Sequence, residues 1–285
     1  MLGPRHTTLW AGIALTVAAC APASVTERAR SLVRQNRDAE AIAVLRSDLG
    51  SHPSDLAARR LLIRVLGASG DLVAARAEVE ELERRVPKGD PRPLIELGHA
   101  LELAHRYDDA LEAYDQAAQI APSAPDGPRE GGMRCARWGE ASQARPRLEE
   151  AIRRGARDAE VWHVLGLTRL SLGDLDGADA AYRNGAAAHP GDVANWLGLA
   201  SVAVARRDAK GALDAYDAVL ARAPSYAAGE LGRAWALASL GRTEEAERAL
   251  DRASDMGAPQ ANLARLREAL DHGVFSAQAE PDAGR

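Results

Sequence analysis

Residues 159–192 read AEVWHVLGLTRLSLGDLDGADAAYRNGAAAHPGD, and residues 193–226 read VANWLGLASVAVARRDAKGALDAYDAVLARAPSY. Set one under the other, they place Trp162 over Trp196, Ala178 over Ala212, Tyr182 over Tyr216 and Pro190 over Pro224, each pair 34 residues apart. Self-similarity at a fixed period of this size marks stacked supersecondary units. Gly173-Asp174 interrupts the first unit near its middle, where a turn between two helices belongs. Pro190 closes it, because proline lacks the N–H of the next helical turn and clashes with the turn before. Small residues are needed where two helices cross, and a bulky one is needed to fill the space beside them. Alanine and glycine supply the first, and Trp, Tyr and Leu the second.

The same register extends both ways. Pro53 and Pro87 are 34 apart, and Pro122 falls 35 after Pro87, the extra residue being Asp90. Residues 91–124 carry Leu97-Gly98, Ala110, Tyr114, Ala117 and Pro122; residues 56–89 carry Leu62, Gly70-Asp71, Ala75 and Pro87. Residues 125–158 keep Gly132, Gly139, Ala144 and Leu148 without a closing proline. Residues 227–260 keep Gly241, Ala246 and Leu250 with a displaced Pro259, and residues 22–55 keep Ala29, Ala41, Leu45 and Pro53. In residues 261–272, Leu263, Leu266 and Leu270 share one helical face, as in a solvating cap. Residues 273–285 lose the periodicity and are expected to be a disordered tail.

This pattern resembles the tetratricopeptide repeat, with Trp, Leu-Gly and Tyr-type positions on a first helix, Ala and an aromatic on a second, and Pro at the end. The resemblance implies an all-α fold: a right-handed superhelix of about seven helical hairpins over residues 22–272. One hairpin cannot bury its apolar face alone, so neighbours must stack.

Residues 1–20 read MLGPRHTTLWAGIALTVAAC. Arg5 gives a positive start, and Thr7 to Val17 form an apolar stretch too short to span a bilayer, which needs about 20 residues. This fits an export signal. Val17-Ala18-Ala19-Cys20 resembles the bacterial lipobox, which implies cleavage after residue 19, a diacylglyceryl group on Cys20 and a lipidated start at residues 20–21. Ala21 follows the cysteine, which under the family's sorting rule favours the outer membrane. An ordinary signal peptide cut at an A-x-A-like site is the competing reading.

The net charge of -5 speaks against general nucleic-acid binding. Positive charge is carried by arginine, since Lys88 and Lys210 are the lysines. With Cys20 lipidated, Cys135 is left without an intrachain partner and reads as a core thiol. No H-E-x-x-H, phosphate loop, G-x-G-x-x-G or nucleophile elbow occurs. Asp174, Asp176 and Asp179 imitate a calcium loop but fit a turn and a helix start better. The expectation is therefore a protein with no catalytic residues, metal or cofactor, no nucleic-acid or small-molecule partner, and other proteins as partners.

The resemblance further implies that first helices line a concave groove. Their unpacked positions are Arg30, Arg34, Arg60, Arg64 and Arg129 in the early hairpins, and Leu167, Leu197, Val204, Leu231 and Trp235 in the later ones. A basic early half and an apolar later half would follow; alternatively, the arginines are solvated and the apolar residues pack sideways on neighbouring hairpins. Three functions are weighed. The first is a lipid-anchored envelope scaffold that binds a client segment during assembly of a pilus, secretion or outer-membrane complex. The second is an adaptor recruiting peptidoglycan-modifying enzymes. The third, a repeat-bearing enzyme, lacks a stretch long enough for a catalytic domain.

Overall fold

The computed structural model describes residues 24–272, so Cys20, the expected export signal and the expected tail from residue 273 lie outside the described residues. Fifteen α-helices and no strand occur among the described residues. Seven antiparallel hairpins follow in order. They are α1 (Val25–Arg34) with α2 (Asp38–Ser51), α3 (Leu56–Ala68) with α4 (Leu72–Glu83), and α5 (Arg92–Leu103) with α6 (Tyr107–Ile120). Next come α7 (Asp126–Arg137) with α8 (Ala141–Arg153), α9 (Ala159–Ser171) with α10 (Leu175–Ala188), and α11 (Val193–Ala205) with α12 (Ala209–Arg222). The last pair is α13 (Ala227–Ser239) with α14 (Thr243–Asp255), and α15 (Gln260–Asp271) follows it unpaired. This is the all-α repeat superhelix that the tetratricopeptide resemblance implied.

Local chemistry sets the helix ends. Asp55, Asp71, Asp158, Asp174, Asp192 and Asp208 each precede a helix and accept a hydrogen bond from an amide of its first turn. These carboxylates satisfy otherwise orphaned donors and meet the positive end of the helix dipole. Asp174 is thus a cap, as its position at a turn suggested. Within every hairpin the turn contains one left-handed residue at the same register position: Asn36, Gly70, His105, Gly139, Gly173, Arg207 and Gly241, with φ between 57° and 85°. Glycine takes this conformation without strain, whereas a side chain there is costly. The sequence marks four of these positions by glycine; Asn36, His105 and Arg207 carry no such mark.

The core is written in two columns. Ala41, Ala75, Ala110, Ala144, Ala178, Ala212 and Ala246 are all completely buried where the two helices of each hairpin cross. Four residues further on stand Leu45, Val79, Tyr114, Leu148, Tyr182, Tyr216 and Leu250, which fill the space between one hairpin and the next. Cys135 is buried on α7, and burial pushes its thiol pKa up. The buried apolar residues fall into four separate clusters along the chain, as expected where each repeat touches mainly its neighbours.

The curvature follows from which helices touch. Consecutive odd-numbered helices lie side by side from α1 to α11, and again α13 against α15, while the even-numbered helices splay apart. The closely spaced odd helices therefore form the concave face.

Candidate functional site: the concave face

Residues in equivalent positions on the odd helices share one register: Arg30, Arg64, His99, Met133, Leu167, Ser201 and Trp235. Its character changes from cationic to apolar along the superhelix.

Arg30 and Arg34 on α1 are exposed, with no carboxylate partner among the described residues. Arg60 and Arg64 on α3 both reach across to Glu96 on α5. The Arg60 Nε donates at 2.8 Å, and Arg64 donates through Nε at 2.5 Å and Nη2 at 2.9 Å. Glu96 is 2% exposed. Burial alone would raise its pKa, but hydrogen bonds from His99, Arg64 and Arg60 outweigh this and bring it down to about 2. His99, one turn on, sits between two carboxylates: its Nε2 is 3.2 Å from Glu130 and its Nδ1 3.6 Å from Glu96. Its ring packs edge-on against the buried Tyr114. Burial alone would lower the imidazole pKa; Glu130 and Glu96 prevail and raise it.

The ladder continues along α7. Arg129 bonds Glu130 at 2.8 Å and Asp158 at 3.3 Å and approaches Glu160 at 3.6 Å. Arg134 lies 2.8 Å from Glu102 and 3.3 Å from Glu130. Arg137, with its side chain 70% exposed, approaches only Glu102 among the described carboxylates, at 3.9 Å. Five arginines (60, 64, 129, 134 and 137) thus face five carboxylates (96, 102, 130, 158 and 160). The expected basic half is therefore a charge-balanced ladder that ties α3, α5, α7 and α9 together. On this face Arg137 at the end of α7, and Arg30 and Arg34 on α1 outside the ladder, present guanidinium groups to a partner.

In the later half Leu167 is 47% exposed on α9. Leu197 on α11 is half-buried. Val204 on α11, with Leu231 and Trp235 on α13, is half-buried against the last core cluster, alongside Leu266 and Leu270 of α15. Sideways packing accounts for much of their surface, as the alternative reading held. Trp162 and Trp196 are also half-buried, and the Arg222 guanidinium lies 4.2 Å over the Trp196 ring.

The face also holds residues that the repeat register did not single out. Met133, Val164 and Leu167 line a cleft of about 520 Å3 between α7 and α9. Tyr107 and Trp138, with ring centroids 5.0 Å apart, line another of about 460 Å3 between α5 and α7. Trp138 occupies no consensus Trp position, and that departure is a signal readable from sequence. Among the described residues no group of three or more His, Cys, Asp or Glu could hold a metal ion, and no helix is long and apolar enough to cross a membrane.

Tetratricopeptide repeat models match residues 26–90, 137–193, 163–227 and 197–261, and another matches residues 91–124. ER membrane protein complex subunit 2-A of Xenopus laevis is 33% identical over 124 residues, which is 43% of this chain and 40% of that protein. The chain thus spans well under half the length of that relative. Among solved structures, the C-terminal part of a TPR protein from Cytophaga hutchinsonii matches 90% of this chain and 100% of its own, with a TM-score of 0.56 at 18% identity. YrrB, described as a TPR protein with an unusual peptide-binding site, matches 63% of this chain and 93% of its own, with a TM-score of 0.56 at 19% identity. MamA matches 59% of this chain and 91% of its own, with a TM-score of 0.55 at 17% identity. These likenesses, the shared 34-residue register and the stacked hairpins agree: the chain belongs to the tetratricopeptide repeat family.

Proposed function

We propose that this protein is a non-catalytic scaffold, lipid-anchored at Cys20 in a bacterial envelope, that holds a segment of a partner protein on its concave face. The observation that carries this is the column of equivalent positions on the odd helices, which lie side by side from Arg30 on α1 to Ser201 on α11, with Trp235 on α13 in the same register. It offers free guanidinium groups at one end and accessible apolar surface at Leu167 and Leu197 further along. Arg30, Arg34, Leu167, Leu197 and the half-buried Trp235 are the contact residues of this reading. Arg60, Arg64 and Arg129 serve the face by shaping it, since their charges are already matched. The Xenopus relative is named as a subunit of the ER membrane protein complex, which supports binding to other proteins. The anchor rests on Val17-Ala18-Ala19-Cys20, five residues ahead of α1, so a lipid there would hold the first hairpin within about 18 Å of the bilayer surface.

Two measurements test it. A clickable fatty-acid analogue should label the wild type and leave Cys20→Ser unlabelled; equal labelling removes the anchor. A photo-crosslinking residue at position 167 or 197 should capture an envelope protein, whereas one at Val73, 83% exposed on α4, should not. Capture from Val73 alone would move the binding surface to the convex side.

A further inference from the structure

Tyr107 begins α6 and Trp138 follows α7, so their paired rings stand at the edge of the solenoid where the hairpin turns lie. Trp138 packs in part against the first core cluster, while Tyr107 is 43% exposed. Besides the cleft between α5 and α7, the pair lines a second cavity, of about 440 Å3, bounded by α6, the end of α7 and the start of α8. This cavity is acidic. Asp108 and Glu140 line it, and no Arg, Lys or His does. Asp108 and Leu111 also line a neighbouring cavity of about 460 Å3 that bears Glu112 and Asp115, again without a basic side chain.

The charge here is not cancelled. α6 carries four carboxylates and no basic residue. Arg106 pairs with Asp109, and Arg147 with Asp115 at 2.6 Å. Asp108, Glu112 and Glu140 meet no basic side chain among the described residues. Glu140 stands at the cap position of α8, yet its side chain accepts no bond from that helix. Helix dipoles account for an acid at Asp108 and Glu140, but not for Glu112 in the second turn or for two rings beside them. A cation over a ring face is attracted by the ring quadrupole, and a carboxylate takes N–H donors. A guanidinium does both at once, stacking flat and donating from its edge, whereas an ammonium is a compact, strongly hydrated point charge. The molecule holds its own example, with Arg222 4.2 Å over the half-buried Trp196. Trp138 has no such cover among the described residues.

We infer that this cavity binds an arginine side chain from a basic segment of a partner protein. The guanidinium lies against Tyr107 and Trp138 and donates N–H groups to Asp108 and Glu140, and a second basic residue of the segment meets Glu112. Asp108 and Glu112 stand one turn apart, about 6 Å along α6. Alternate side chains of an extended segment recur at a similar distance, about 6.6 Å, so two arginines separated by one residue can serve both carboxylates. The site lies away from the positions running from Arg30 to Trp235. It depends neither on their role nor on the lipid anchor, and gives the scaffold a second contact surface of opposite charge to Arg30 and Arg34.

The test uses the full chain in detergent and a fluorescein-labelled peptide, Gly-Ser-Arg-Gly-Arg-Gly-Ser, followed by anisotropy at physiological salt. Asp108→Asn combined with Glu140→Gln should weaken binding about tenfold. Glu244→Gln combined with Glu247→Gln, an equal loss of charge on the distant α14, should weaken it by less than about twofold. Tyr107→Leu should cost about threefold, and Trp138→Leu more than Trp138→Phe, which retains a ring face. Replacing both peptide arginines by lysine should weaken binding to the wild type about threefold, and by trimethyllysine, which has no N–H to donate, further. Tyr107, Asp108 and Glu140 are exposed, so their variants report on the site even if the Trp138 variants melt early. The inference is overturned if the wild type does not bind the probe or if the two pairs of carboxylate changes act alike. It is equally overturned if the lysine or trimethyllysine peptide binds as tightly as the arginine one. A partner crosslinked at position 197 together with a silent probe would leave the scaffold standing and remove only this site.

Discussion

A β-carbon added to Gly198 would stand 2.3 Å from Cε1 of Tyr182. The same ring atom would lie 2.4 Å from a β-carbon on Gly166. Tyr182, on α10, is completely buried and wedged between α9 and α11, so two glycines in two successive hairpins make room for one ring. Gly198→Ala should therefore destabilise the protein by about 1–3 kcal/mol, in urea or thermal melts, by forcing the hairpins apart. Combining it with Tyr182→Leu should cost less than the sum of the two single changes, since the smaller side chain makes the room the methyl needs. Strict additivity would show that the two sites do not share this space.

Glu96 connects the second hairpin to the third. Its carboxyl titrates at about 2 instead of the ordinary 4.5, so its contribution is present above pH 4.5 and is lost as pH falls towards 2. Glu96→Gln should cost on the order of 2–3 kcal/mol at neutral pH. The gap between wild type and variant should close in acid, measured by urea unfolding at a series of pH values. A gap that stays constant down to pH 2 would mean the ion pairs contribute nothing.

His99 has the opposite sign. Its pKa is raised above 6.5, so the contribution of the charged imidazole is complete below pH 6.5 and is lost as pH rises through the folded value. Facing it are Glu96 and Glu102 on its own helix, Arg64 on α3, Tyr114 on α6, and Glu130 and Arg134 on α7. Melting temperature should therefore fall on going from pH 6.5 to 8 in the wild type and stay flat over that range in His99→Gln. Parallel curves for the two proteins would exclude the imidazole as the source.

Arg207 occupies the left-handed turn position at φ 58°, where Gly70, Gly139, Gly173 and Gly241 stand in other hairpins. The left-handed conformation costs an ordinary residue about 1–2 kcal/mol, and glycine returns part of that through its larger unfolded-state entropy. Arg207→Gly should raise stability by about 0.5–1 kcal/mol. The reverse change, Gly173→Ala, should lower it. Destabilisation by Arg207→Gly would reveal a contact made by the arginine that outweighs its strained backbone.

Most of the fold was legible because the repeat writes the same packing demand seven times. The buried alanine from Ala41 to Ala246 and the wedge from Leu45 to Leu250 are each visible as a spacing of 34 or 35. The concave face was legible only in part. Arg60, Arg64 and Arg129 fall on it as the register implies, yet their charges are cancelled by Glu96, Glu130, Asp158 and Glu160. A helical register assigns a residue to a face; it does not reveal which acidic residue on the next helix meets it. Arg60 and Glu96 are 36 residues apart, Arg64 and Glu96 32, and Arg129 and Asp158 29, so no single offset marks the pairs. Trp138 is not marked by the repeat register, because it stands at the C-terminal end of α7, outside the consensus Trp positions.

The division of the core into four clusters has a mechanical side. A protein held at its N-terminal end and loaded through a bound segment is under tension along its length, and no single apolar core must fail for it to yield. Each hairpin that comes loose releases 34 residues, or about 110–120 Å of chain. The charge ladder between α3 and α9 crosses three hairpin boundaries and should resist shear there, and Arg206–Asp176 and Arg233–Asp217 bridge the next two, whereas no ion pair among the described residues joins the first hairpin to the second. Pulled from both ends, the solenoid should give way first at its N-terminal hairpin, lengthening stepwise like a spring with one soft coil.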